Sequence, residues 1–409
     1  MEPRNDLELK LKSIVQVIAS ISLALLSVII SILVNRHLSV SDRTIYGIYM
    51  VTLGQLFLLA QFGLPGAFTI AGLKPLKFGK LQDILLLVVK RFLPFAMVTV
   101  ILMKIYNLSL QFTFLILIGY LILVPAQWIL SAFQPHISNL EFAVWRILPT
   151  SVQLLFVLLG YISSQSLNLR ILILSWLSAN LAILVLASIR SKRIAVKYTS
   201  DNAQNMLETM SALGRRGFIA HIGISDIIRL EIFLVPLVYS ANYSARYFAV
   251  AGLANWSRVL VDGLSISIFQ RYTQLSFQAA RKIALRRVIV TALFGISMLI
   301  AISPISTQIF IFAVGPSYES VYTLFISLSG ALMFSSLRRM YLDAFRTHGN
   351  SNTSFASKIE TLSWAISILP ISLLILGIDF DTWASFTCFS NFFALCFLIY
   401  RGQRWNSVE

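Results

Sequence analysis

Acidic side chains are scarce in this chain. Its 409 residues hold 17 Asp and Glu against 33 Lys and Arg, and charged residues of both signs reach only 12%. A soluble protein of this length carries about twice that fraction of charge. Hydrophobic residues make up 57% and the mean hydropathy is +0.80, which excludes a water-soluble globular fold. Cysteine is limited to Cys388 and Cys396. They lie eight positions apart on one expected helix, about 12 Å along its axis, too far for a disulfide. The four histidines, His37, His136, His221 and His348, are scattered and have no partners at metal-ligand spacing. There is no Walker lysine motif and no Gly-rich dinucleotide turn. The charged start, Met1 to Lys12, runs directly into an apolar stretch too long for a signal-peptide core, so no cleavable signal is expected.

What the chain does have is length in apolar runs. Twelve stretches are each long enough to cross a bilayer, for which about 20 residues suffice. They cover about Leu11–Val34, Ile45–Gly72, Leu81–Tyr106, Leu110–Phe133, Phe142–Ile162 and Leu169–Ile189 in the first half. In the second they cover about Phe218–Ser240, Tyr247–Phe269, Val288–Val314, Val321–Leu337, Thr361–Ile378 and Trp383–Tyr400. The expected fold class is an all-α integral membrane protein of about 12 transmembrane helices. The longest hydrophilic segment, Arg190 to Arg216, lies near the midpoint and divides the chain into an N-terminal lobe, residues 1–199, and a C-terminal lobe, 200–409. Two six-helix lobes in the same orientation fit a parallel repeat. Ser138-Asn139-Leu140-Glu141-Phe142 before span 5 weakly echoes Asn352-Thr353-Ser354-Phe355 before span 11.

The basic residues are distributed unevenly. Alternate loops and both termini hold 23 Lys and Arg, the opposite loops hold 5, and the remaining 5 of the 33 lie inside spans. Cationic loops stay in the cytoplasm, so both termini are expected there. This placement at helix ends, facing membrane lipid headgroups, also accounts for the net charge of +16 without nucleic acid. No loop on the outer side exceeds about a dozen residues or gathers a catalytic cluster, so the chain reads as a non-enzyme.

The remaining signal is ionisable residues in mid-span. Each costs about 2.5–3.5 kcal/mol on insertion scales and normally faces a cavity or a partner. Span 5 has Arg146, span 7 has Asp226, Arg229 and Glu231, and span 8 has Arg258 and Asp262. Asp226 and Arg229 are three apart, and Arg258 and Asp262 four apart, so each pair shares one helix face. Two readings follow. The six charges either lock the bundle as internal ion pairs, or form a hydrated cationic cavity for an anionic substrate, with the acids orienting the arginines. Arginine suits phosphate because its fork engages two oxygens at once. Glu231 points about 140° away from Asp226 on an ideal helix and fits the cavity least. Arg338, Arg339 and Asp343 are expected where span 10 leaves the membrane, in a solvated role.

One segment carries a resemblance. Leu33-Val34-Asn35-Arg36-His37-Leu38-Ser39-Val40-Ser41-Asp42, followed by Tyr46-Gly47-Ile48-Tyr49, joins spans 1 and 2. It resembles the "L-x-x-x-D…G-x-Y" link of the bacterial O-antigen and polysaccharide flippases (Wzx-like). Gln61-Phe62-Gly63-Leu64 is similar to that family's "F-G-L" ending. The family belongs to the multidrug/oligosaccharidyl-lipid/polysaccharide exporter superfamily, with the drug-extruding MATE transporters and the lipid II flippases. The resemblance implies two six-helix lobes around a central cavity. It implies translocation of undecaprenyl-diphosphate-linked oligosaccharide from the cytoplasmic to the outer leaflet of the inner membrane, in the service of O-antigen, lipopolysaccharide or another surface polysaccharide. The implied partners are the lipid-linked oligosaccharide and, further, a polysaccharide polymerase and chain-length proteins. No cofactor is expected, and a coupling ion, H+ or Na+, stays open. The candidate substrate-binding residues are Arg146, Arg229, Arg258, Asp226 and Asp262. The alternative is a MATE-like, ion-coupled antiporter of drugs or organic cations, in which Asp226 or Asp262 would serve as the coupling acid, because spans 1 and 2 hold no carboxylate.

The charge distribution yields a direct test. Reporter fusions near Lys197 and at the C-terminus are expected to report from the cytoplasm, and a fusion near Ser317 from outside. An outside signal at Lys197 overturns the orientation.

Overall fold

Helix formation follows from solvent. A backbone in hydrocarbon must satisfy its polar groups internally, and within a single segment only the α-helix does so. The computed structural model describes residues 3–61, 81–133, 137–164, 166–195, 230–272, 275–315 and 321–405. Those residues are almost wholly helical, with no strand among them. The helices are α1 Pro3–His37, α2 Val40–Gln61, α3 Leu81–Ile105, α4 Leu110–Phe133, α5 Asn139–Ser164, α6 Leu169–Ala195 and α7 Leu230–Val238. They continue with α8 Ala241–Tyr272, α9 Phe277–Ile302, α10 Ser306–Val314, α11 Tyr322–Arg346, α12 Gly349–Ile375 and α13 Phe380–Gln403. Each of the twelve apolar stretches falls on helix within its described part. One stretch, Val288–Val314, is interrupted: a 3-10 turn at Ser303–Ile305, containing Pro304, separates α9 from α10. Proline removes a donor and clashes with the preceding turn, which ends the helix there.

Seven of the described helices, α1, α4, α5, α6, α9, α12 and α13, contain segments long and apolar enough to span a bilayer by composition alone. Helices α8 and α11 fall short because they carry polar residues, and their packing explains how. Helix α11 touches α8, α9, α10, α12 and α13, and 19 of its 25 residues are buried. It is wrapped by protein rather than lipid. Small residues permit that closeness. A Cβ added at Gly330 would lie 2.7 Å from Cys388 Sγ, and one at Gly402 would lie 2.7 Å from the Tyr341 ring. Glycine lets two helix backbones approach where any side chain would hold them apart.

The chain forms two compact units. One comprises residues 1–44 and 223–409, the other 45–222. In the first, α1 runs antiparallel along α8. Thr44 Oγ1 donates to Ala241 O (3.1 Å) and Asn35 Nδ2 to Ala249 O (3.4 Å), so rising numbers on one helix meet falling numbers on the other. The buried Arg43 guanidinium donates to Asn35 O and Leu38 O, satisfying carbonyls left open at the C-terminus of α1. Helix α12 ends on Gly377 at φ +71°, with Gly377 N donating to Leu374 O and Ile378 N to Leu373 O, a Schellman cap that needs the left-handed conformation glycine supplies. In the second unit, α4 packs on α3 and α6, and α5 on α6. Tyr49 is fully buried edge-on to Trp176, with ring centroids 6.3 Å apart. The compact units cut across the 1–199 and 200–409 division: residues 1–44, with α1 and the first turn of α2, group with 223–409, and the second unit runs on to residue 222.

The register of α1 on α8 can be checked covalently. A Cβ at position 252 would sit 3.9 Å from Ser31 Cβ, within the range of about 3.5–4.5 Å that a disulfide needs. With Cys388 and Cys396 replaced by alanine, S31C/G252C is expected to lose both thiols to a mild oxidant, read by maleimide labelling and intact mass. Two thiols that stay reactive contradict the register.

Candidate functional site

Helix α8 carries the ionisable pair expected from spacing. Arg258 and Asp262 are one turn apart, and Arg258 Nε lies 3.4 Å from Asp262 Oδ2. Both side chains keep slightly over a fifth of their surface, 22% and 23%. Ser265 lies within about 60° of both on the same face, and its hydroxyl donates to Asp343 Oδ2 at 2.7 Å. About two turns before Ser265, Ser257 donates to Ser329 O of α11 at 2.8 Å. The pair therefore belongs to a polar face of α8 that is partly turned toward α11.

The other expected residues fall elsewhere. Arg146 is half-buried on α5, which belongs to the 45–222 unit. Asp226 and Arg229 lie outside the described residues. Glu231, which fits the cavity least on helical geometry, is buried at the start of α7 and accepts a hydrogen bond from Tyr247 Oη of α8 at 3.0 Å. It lines a small pocket with Ser335, Ser367, Trp383, Thr387 and Asn391. Arg258 and Asp262 are not among the lining residues.

The expectation for Arg338 and Asp343 is corrected. Both are buried, 5% and 7% exposed, not solvated at a helix end. Apolarity places the end of this span at Leu337, but α11 continues to Arg346 inside its ring of neighbours. Arg338 donates through Nη1 to Ser363 O (3.2 Å) and Ser367 Oγ (2.5 Å), and through Nη2 to Asn391 Oδ1 (3.0 Å) and Ser335 Oγ (3.5 Å). Three of those four acceptor residues also line the pocket. Farther along α11, Arg346 donates to Asp343 Oδ1 at 3.1 Å and pairs with Glu360 of α12. Sequence reasoning misses Arg346 and Glu360 as a site. The available signal is polar residues at helical spacing inside apolar stretches: Glu360, Ser363 and Ser367 on α12, and Thr387 and Asn391 on α13.

In the other unit, Arg190 in the last turns of α6 donates to Glu141 at the start of α5 through two nitrogens, Nε to Oε1 at 2.9 Å and Nη2 to Oε2 at 3.1 Å. This bidentate pair is partly exposed, 39% and 31%, and clamps two helix ends rather than forming a cavity. No cluster of three metal-ligating side chains occurs among the described residues.

The buried knot can be tested for what it does. Arg346→Ala leaves Asp343 and Glu360 without their shared cation, and truncating one partner of a buried pair costs about 3–5 kcal/mol. The loss should appear as a large drop in thermal midpoint in detergent. D343N/R346M/E360Q, which removes all three charges, is expected to recover much of it. Equal midpoints for Arg346→Ala and the wild type would show that the knot contributes nothing to stability.

Comparisons with known proteins follow the geometry. No family model matches the chain, and no curated protein matches it in sequence. Solved structures do. A lipid II flippase, MurJ, in an inward closed conformation aligns over 96% of this chain and 88% of its own, with TM-score 0.70 and 13% identity. An inward-facing MATE family multidrug resistance transporter of the MOP superfamily aligns over 96% and 97%, with TM-score 0.65 and 11% identity. The MATE multidrug transporter DinF-BH aligns over 97% and 95%, with TM-score 0.61 and 16% identity. At these identities the likeness is one of fold: the chain has the 12-helix, two-lobe architecture of these membrane transporters.

Proposed function

We propose that this chain is a transporter that moves undecaprenyl-diphosphate-linked oligosaccharide from the cytoplasmic to the outer leaflet of a bacterial inner membrane, by alternating access of lobes 1–199 and 200–409. Both termini are assigned to the cytoplasm by the charge distribution. The observation that carries the reading is the fold shared with a lipid II flippase along nearly the whole chain. The residue link between α1 and α2 adds the resemblance to polysaccharide flippases. The disposition of acids agrees. The buried Asp343 and Glu360 both pair with Arg346 inside the structure, whereas export of an organic cation needs a carboxylate that is available to it.

Arg258, with Arg146 and Arg229, is assigned to the diphosphate, and Asp262 and Asp226 to orienting the arginines. A partly exposed guanidinium has five N–H donors in a fork that can exchange a carboxylate for an incoming phosphate. The second reading, an ion-coupled antiporter, is favoured by Glu231, a buried carboxylate that lines a polar pocket and receives the neutral Tyr247 hydroxyl.

Substitutions separate the roles. Arg258→Lys keeps the charge and loses the fork, so it should fail nearly as badly as Arg258→Ala in restoring surface polysaccharide to a strain lacking its own flippase. Full restoration by Arg258→Ala, at normal protein level, removes Arg258 from substrate binding. Asp262→Asn keeps shape and one acceptor and should weaken transport without abolishing it. A total loss confined to ion-gradient-driven uptake in inverted vesicles promotes the antiporter.

A further inference from the structure

The first three turns of α9 are basic and exposed. Lys282, Arg286 and Arg287 all face outward, and Arg281 beside them faces the protein. Arg281 Nη1 donates to Gly402 O (3.3 Å) and Trp405 O (2.6 Å), fastening the start of α9 to the end of α13. There Arg401 and Arg404 are also exposed. Trp405 stacks on Phe355 of α12, centroids 3.9 Å apart, and its Nε1 donates to Asn352. The start of α12 thus joins the same end of the unit and brings the exposed Lys358. Among the described residues, α9 carries no Asp or Glu, and neither does α13 after Asp381. Asp343 and Glu360 are buried and committed to Arg346.

Helix length sets the depth of the rim. From Val288 through Ile305 the chain rises about 28 Å, at 1.5 Å per α-helical and 2.0 Å per 3-10 residue, close to the hydrocarbon thickness of about 30 Å. The segment Phe277 to Arg287 then extends about 15 Å beyond it, at the level of lipid phosphates.

We propose that this rim of α9, α12 and α13 is a binding surface for anionic phospholipid headgroups, with Lys282, Arg286 and Arg287 as its centre. It stands independently of what the chain transports. Guanidinium and ammonium groups held at phosphate depth, on helices that are pinned together, form a preorganised surface that a zwitterionic headgroup cannot match in charge. The occupant is the bulk anionic lipid of the leaflet, because the rim faces away from its own unit's core.

The test uses the full-length protein purified in neutral detergent and titrated with dioctanoyl-phosphatidylglycerol, read by native mass spectrometry. Each cation near an anionic surface strengthens binding about fivefold, so K282Q/R286Q/R287Q should bind about a hundredfold more weakly than wild type. R401Q/R404Q should lose about 25-fold by the same measure and decides the matter if the first variant folds poorly. Melting midpoints in lipid-free detergent should be unchanged for K282Q/R286Q/R287Q, whose side chains are exposed, and at most slightly lowered for R401Q/R404Q, where Arg404 lies over the Tyr400 ring. Equal wild-type affinity for dioctanoyl-phosphatidylcholine, or unchanged affinity in the variants that fold, overturns the proposal. So does displacement of the lipid by inorganic diphosphate at equal charge, which would assign the rim to free anions.

Discussion

Every charge drawn inside a helical bundle must find its partner there, and the second half of this chain is organised by that constraint. Helix α11 carries Arg338, Asp343 and Arg346. Facing lipid, each would cost several kcal/mol. Surrounded by five helices, they find acceptors and donors on three of them. Ser265 of α8 serves Asp343, Glu360 of α12 serves Arg346, and Ser363, Ser367 and Asn391 of α12 and α13 serve Arg338. The polar content of α11 and its central position therefore have one cause. A helix with this sequence has nowhere else to go in the unit.

The same constraint explains the neutral polar residues. Apolar side chains gain little by leaving hydrocarbon for a protein interior, so contact between helices depends on close approach and on hydrogen bonds across the seam. Ser257 reaching Ser329 O, Asn35 reaching Ala249 O and Thr44 reaching Ala241 O are bonds of that kind. Gly330 and Gly402 provide the approach along α11 and α13.

Much of the helix inventory is legible in the sequence because hydrocarbon thickness imposes a length on apolar runs. The ends are less legible. Hydropathy treats whatever is not lipid as water, so the polar turns of α11 after Leu337 read as a solvated exit, though they lie in the protein interior. The site residues divide along the same line. Arg258 and Asp262 are legible as a pair because a four-residue spacing brings them together on any helix. Arg338 and Asn391 are 53 positions apart, and nothing local links them. An angle measured from Asp226 sets Glu231 aside, whereas its partner is Tyr247 on the next helix.

Exposure then separates the arginines by what they can do. Arg338 spends both terminal nitrogens on neutral acceptors and Arg346 bridges two carboxylates, each in a buried setting. To engage a substrate, Arg338 would first have to break bonds that join α11 to α12 and α13, and Arg346 bonds that join α11 to α12, and the vacated acids or hydroxyls would be stranded away from water. Arg258 meets Asp262 at 3.4 Å and keeps about a fifth of its surface. Arginines at comparable cost to insert thus differ in setting: Arg338 and Arg346 are enclosed among their partners, whereas Arg258 is partly exposed beside Asp262.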